Sequence, residues 1–171
     1  SIPGACNGHA ETQGAYRLFD QARADKRGLS WESVLAPHMA RTAARMAEHP
    51  VVLCLQDTTE LDFNGQAIEG LGKLSYEAQR GMYLHPTYAV SPQRLPLGIL
   101  DTWMWARPLD IAESRRWVEG YERVAERASD LPATRLVYVA DREADIQELM
   151  QRAHALSHPA DYLFRAQHNR C

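Results

Sequence analysis

Two short apolar runs, each leading to an aspartate, constrain this chain more than any other feature. Val51-Val52-Leu53-Cys54-Leu55 passes through Gln56 to Asp57, and Leu136-Val137-Tyr138-Val139-Ala140 runs straight into Asp141. Continuous β-branched and aliphatic runs of this length are typical of strands covered on both faces in a helix-flanked sheet. The grammar before them is different. From about Ala10 to Ala24 the apolar residues Ala15, Leu18, Phe19 and Ala22 recur at helical spacing, and Asp25-Lys26-Arg27-Gly28 then reads as a turn. Ser30 is placed to N-cap a second helix with the face Leu35, Met39, Ala43 and Met46 or Ala47, which His49-Pro50 ends. Residues 1–49 are therefore expected to form a small helical N-terminal unit, and residues 50–171 an α/β unit.

Within the second unit, residues 64–81 contain four glycines and read as a long surface loop. Strands are expected near 82–90 and 97–105, with a connection short enough for an antiparallel hairpin. Asp110 and Glu113 form an Asp-type capping box for a helix from Ile111 to about Ser129, with Trp117, Tyr121, Val124 and Ala128 as its buried stripe. After Asp141 a helix carries Ile146, Leu149, Met150 and Ala153, and a last strand runs over 162–166. Strands joined through helices are normally parallel. The expected fold is a mixed five-stranded α/β sheet with flanking helices.

Composition excludes several classes. With 171 residues, 45% apolar and 24% charged, the chain is long enough to bury a core and too apolar to be disordered. No apolar stretch approaches the roughly 18 residues of a bilayer span, so no membrane association is expected, and no signal-peptide pattern is visible. A net charge of −3 does not announce a nucleic-acid binder, although every basic residue except Lys26 and Lys73 is the phosphate-forking arginine. Cys6, Cys54 and Cys171 are an odd number without CxxC spacing, which fits a reducing cytoplasm. Cys6 and His9 offer half of a zinc spacing, and the remaining histidines are scattered. The chain begins without Met and stops directly after a strand, as a piece of a longer protein would.

If the two buried strands are neighbours, Asp57 and Asp141 emerge at the carboxyl edge of the sheet, where open α/β folds bind ligands. Two adjacent carboxylates repel, and a divalent cation such as Mg²⁺ relieves that repulsion with oxygen ligands and water. Such pairs build two-metal phosphodiester sites. The same residues also suit purely structural roles: Asp141 as the N-cap of the next helix, Asp57 as a brace for the turn at Thr58-Thr59.

Leu55-Gln56-Asp57-Thr58-Thr59-Glu60-Leu61-Asp62-Phe63 resembles the first-aspartate segment of cut-and-paste DDE transposases of bacterial insertion sequences. Val139-Ala140-Asp141-Arg142-Glu143-Ala144-Asp145-Ile146 resembles their second-aspartate segment. Gly81-Met82-Tyr83-Leu84-His85-Pro86 and Trp103-Met104-Trp105-Ala106-Arg107-Pro108 are similar to the branch related to the kanamycin-resistance composite transposon. So is the opening from Ala10-Glu11-Thr12-Gln13 through Tyr16-Arg17.

The resemblance implies a ribonuclease H-like catalytic core preceded by the end of a helical DNA-binding region. It implies metal-dependent phosphodiester hydrolysis and transesterification that cleave transposon ends and join them to target DNA. Asp57 and Asp141 become catalytic metal ligands for Mg²⁺ or Mn²⁺. The partners implied are transposon-end double-stranded DNA, target DNA and a second copy of the enzyme in a DNA complex, in a bacterial cytoplasm at the nucleoid. The family's glutamate lies in a later Tyr-x-x-Arg-x-x-x-Glu-x-x-x-x-x-x-Lys pattern that this sequence does not contain, and Glu143 is not that residue. The isolated chain is therefore expected to be inactive, and a non-catalytic DNA-binding remnant or a two-metal nuclease without strand transfer are the alternatives. Arg165, His168 and Arg170 follow the last strand, where the resemblance places bound DNA and where a solvated terminus is the plain reading. Arg142 is a candidate for DNA phosphate or for an ion pair with a neighbouring acid. Trp103 and Trp105 share a strand face as core residues or as a base-stacking platform.

Overall fold

The computed structural model describes residues 1–23, 30–76, 78–106 and 113–167. It contains five α-helices and seven strands: α1 (Ile2–Ala5), α2 (His9–Arg23), α3 (Trp31–Met46), β1 (Val51–Gln56), β2 (Thr59–Asp62), β3 (Gly72–Lys73), β4 (Arg80–Val90), β5 (Pro96–Trp105), α4 (Glu113–Asp130), β6 (Arg135–Ala140), α5 (Gln147–Ala155) and β7 (Asp161–Phe164). The chain divides into two compact units, Ser1–Pro37 and His38–Cys171. The division falls inside α3, before the change of periodicity at Pro50.

In the first unit no described residue is buried, and Tyr16, Leu18, Phe19, Trp31 and Val34 are exposed. Ser30 caps α3 as its sequence position suggests: its hydroxyl accepts from the Ser33 N–H at 3.2 Å, while the Ser30 N–H donates to Ser33 Oγ at 3.1 Å. The capping box at Asp110 lies outside the described residues, as do His168, Arg170 and Cys171.

The second unit is a mixed α/β sheet. β1 pairs with β6 in parallel and with β4 antiparallel, β6 pairs with β7 in parallel, and β5 pairs with β4 antiparallel. The 82–90 and 97–105 hairpin and the two Asp-bearing strands stand where the sequence puts them. The expected five strands are seven, because β4 is long enough to hold β1 and β2 end to end along one side. β2 is a short, partly exposed strand with an acidic residue at every second position, and β3 has only two residues, so neither carries an apolar signal.

The Asp-bearing strands also differ from expectation in burial. Both alternate along their length: Val52, Cys54 and Gln56 of β1, and Leu136, Tyr138 and Ala140 of β6, are buried, while the intervening residues are half-buried. The covered face packs against Trp117, Tyr121 and Val124 of α4 and Leu149 and Ala153 of α5. Tyr121 anchors that layer by donating its hydroxyl to the Ala160 carbonyl at 2.8 Å. The last turns of α3 join the same core through Met46. There Gly98 takes φ 126°, and any side chain at it would collide with Thr42. Arg45 Nε secures the contact by donating to the Leu97 carbonyl at 2.6 Å.

Candidate functional site

β1, β6 and β7 run parallel and side by side, and their registers agree. Leu55 lies opposite Val139, and Val139 opposite Leu163; Ala140 lies opposite Phe164. Continued to the strand ends, the same registers set Asp57, Asp141 and Arg165 in one row. Neighbouring strands are about 4.8 Å apart, so the backbones of the three residues follow their strands at one edge of the sheet. The alternation of the strands, continued by one or two residues, assigns the row to the face of Leu55, Val139 and Leu163.

Each aspartate is held by one oxygen. Asp57 Oδ1 accepts from the Thr58 N–H at 2.8 Å. Asp141 Oδ1 accepts from the Glu143 N–H at 2.8 Å and so caps a 3₁₀ turn over Arg142–Ala144. Among the described residues neither Oδ2 has a hydrogen-bond or ion-pair partner. Asp57 is exposed and Asp141 half-buried. The capping role expected for Asp141 is thus met at a 3₁₀ turn and not at the next helix, because α5 starts only at Gln147 with Ile146 at its N-cap; it occupies half of the carboxylate.

Arg142 is exposed and has no ion-pair partner among the described residues. Arg165 is exposed as well, and the chain beyond it is tied down by the buried Asp145, whose Oδ2 accepts from the Gln167 N–H at 2.7 Å. Trp103 and Trp105 are half-buried, their rings 5.6 Å apart. The Arg116 guanidinium sits 4.4 Å from the Trp103 centroid and 4.7 Å from that of Trp105, and Arg123 sits 4.6 Å from that of Trp103. These ring faces receive cations from α4. Arg123 is in turn paired with Asp101 at 2.7 Å.

Sequence reasoning missed the polar cluster on the covered face behind Asp57. Gln56 Nε2 donates to Thr87 Oγ1 at 2.5 Å, Gln56 Oε1 lies 3.0 Å from His85 Nε2, and Thr58 Oγ1 lies 2.7 Å from His85 Nδ1. His85 is 2% exposed, with its ring 5.0 Å from that of Trp117 in an edge-on arrangement. Burial pushes its pKa down to about 4, with Arg116 and Arg123 adding to the effect and Asp101 opposing it. A neutral imidazole has one donor and one acceptor. With the Gln56 amide nitrogen committed to Thr87, its oxygen takes the His85 Nε2–H, and Nδ1 accepts the Thr58 hydroxyl. The signal available in sequence was the alternation Tyr83, His85, Thr87, Ala89, which places two polar residues on a core face.

On the same face the Cys54 thiol is buried and its pKa is pushed up to about 12, so it is an inert core residue. Among the described residues no helix is long and apolar enough to cross a membrane, and no cluster of three or more His, Cys, Asp or Glu forms a metal site. No protein-family model matches the chain.

Proposed function

We propose that this chain is part of a DDE transposase of the insertion-sequence type, carrying most of a ribonuclease H-like core. The enzyme would cleave transposon ends and join them to target DNA. What supports this reading is the register of three adjacent parallel strands, which, continued past their ends, aligns Asp57, Asp141 and Arg165. The two Oδ2 atoms are hard oxygen donors with no other partner among the described residues, which is the chemistry Mg²⁺ or Mn²⁺ selects. Asp57 and Asp141 would hold that ion. When bound, it supplies Lewis-acid charge stabilisation and a more acidic water for phosphodiester chemistry. Arg165, with Arg142 one residue past Asp141, supplies guanidinium groups that hold a DNA phosphate beside the carboxylates.

Two carboxylates bind Mg²⁺ weakly, and without the family's third carboxylate a second ion is held poorly. The 171 residues alone are therefore expected to perform no strand transfer. The reading is tested by Mn²⁺ titration, followed by electron paramagnetic resonance, with and without a short DNA duplex. Asp57→Asn and Asp141→Asn should each weaken Mn²⁺ binding at least about tenfold, with DNA retention and its steep salt dependence preserved. In the full-length protein either change should abolish cleavage. Wild-type Mn²⁺ affinity in both variants would overturn the metal assignment. DNA retention without any metal dependence would favour a non-catalytic DNA binder, and cleavage without joining a nuclease.

A further inference from the structure

We infer that His85 is a positioning residue for Asp57, acting through the two residues that flank it. The inference deepens the metal reading of Asp57 and rests on it for its purpose, though not for its geometry. One imidazole reaches both neighbours of the aspartate: Nε2 meets Gln56 Oε1 at 3.0 Å and Nδ1 meets Thr58 Oγ1 at 2.7 Å.

The β1–β4 and β2–β4 pairings share one continuous register, with Gln56 opposite Thr87 and Thr59 opposite Leu84. Asp57 and Thr58 therefore face Pro86 and His85, at the two positions where the ladder lapses. Pro86 has no N–H to offer a neighbouring strand. At that gap the backbone beside Asp57 loses regular sheet pairing, and the side-chain bridge through His85 takes over. Gln56 and Thr58 are both drawn to the covered face, so the residue between them is turned to the other face.

The bridge is itself braced from three elements. Gln56 is 5% exposed and Thr87 1% exposed. On α4, Gly120 lies so close to the Gln56 amide that a β-carbon there would overlap it. A core position between Trp105 and Trp117 has no need of an imidazole for packing, since a phenyl ring fills similar space. What the imidazole adds is an acceptor for Thr58 and a donor for Gln56, in a fixed tautomer. Fully satisfied buried networks of this kind rigidify what they touch.

The test is NMR on the 171-residue chain, comparing wild type with His85→Phe and with Thr58→Val, the latter leaving the core imidazole in place. Two readouts are taken: amide hydrogen exchange along β1 and at residue 58, and the side-chain carboxyl carbon resonances of Asp57 and Asp141. In both variants the residue 58 amide, which donates to Asp57 Oδ1, should exchange at least about tenfold faster, with Val52 and Cys54 unchanged within about threefold. The Asp57 carboxyl resonance should move and that of Asp141 should stay. Mn²⁺ affinity should fall about tenfold in parallel. If residue 58 exchanges at the wild-type rate, or all of β1 accelerates equally, His85 is only a packing residue and the inference is wrong. Should His85→Phe not fold, Thr58→Val decides by the same criteria. If the exchange and resonance changes occur but wild-type Mn²⁺ binding does not involve Asp57, the positioning stands and the metal reading fails.

Discussion

The carboxyl ends of β1 and β6 look alike in sequence and in burial, yet they are built differently. β6 ends in its own neighbourhood: Asp141 caps the turn that follows it, and the hydrogen bond that holds its side chain among the described residues comes from the Glu143 N–H two residues on. β1 runs on along β4, and its aspartate sits at a lapse in the ladder, flanked by residues bound to His85 and Thr87. One carboxylate is placed by local chain geometry, the other by a side-chain network spanning two strands and braced by a helix. A single row of functional groups can thus be assembled from unlike supports. The two supports should fail differently.

The largest difference should appear with pH. His85 titrates near 4 in the folded chain and near 6.5 when unfolded. Between those values the unfolded chain binds a proton that the folded chain refuses, so stability falls as pH drops through this window. The loss is on the order of 3 kcal/mol by pH 4, read as a shift in urea midpoint between pH 7 and pH 4.5. His85→Phe should remove this component of the pH dependence. Asp141→Asn should leave it in place. Next in size is Gly120→Ala, which gains helix propensity but drives a methyl group into the Gln56 amide. It should cost about 2 kcal/mol in denaturant unfolding and disturb the NMR signals of Gln56, Thr58 and His85 before those of Asp141 and Glu143. The smallest effect separates the aspartates themselves. Asp141→Ala removes a cap and should cost about 1 kcal/mol, while Asp57→Ala, exposed and bonded among the described residues only to the adjacent N–H, should cost a few tenths. Equal losses in thermal melts would mean that Asp57 is held by more than the structure indicates.

Much of the fold was readable because apolar signals were strong. The runs at Val51–Leu55 and Leu136–Ala140, the stripe Trp117–Tyr121–Val124 and the 82–105 hairpin all stand close to their expected places. β2 and β3 were missed for a physical reason: Thr59-Glu60-Leu61-Asp62 and Gly72-Lys73 are strands because β4 offers them an edge, not because their own residues demand it. The alternating burial of β1 and β6 was hidden too, since the outward Val51, Leu53, Leu55, Val137 and Val139 are as apolar as the inward residues between them. At the candidate site, Asp57, Asp141 and Arg165 were legible as residues, but their common row depends on register, which no local pattern encodes. His85 was invisible as an isolated histidine. Its meaning comes from Gln56 and Thr58, far away in the chain and adjacent in the sheet.

The parallel pairing of β1 with β6 also bears on how the molecule comes into being. Val51 meets Arg135 across most of the second unit's length, whereas the β4–β5 hairpin closes over a short connection. Contacts so distant in sequence raise contact order and slow the search for the native state. The hairpin, already carrying His85 and Thr87, can form before β1 has found β6. The aspartate pair depends on that long-range pairing, so any change that loosens the β1–β6 contact separates the two carboxylates while leaving the hairpin intact.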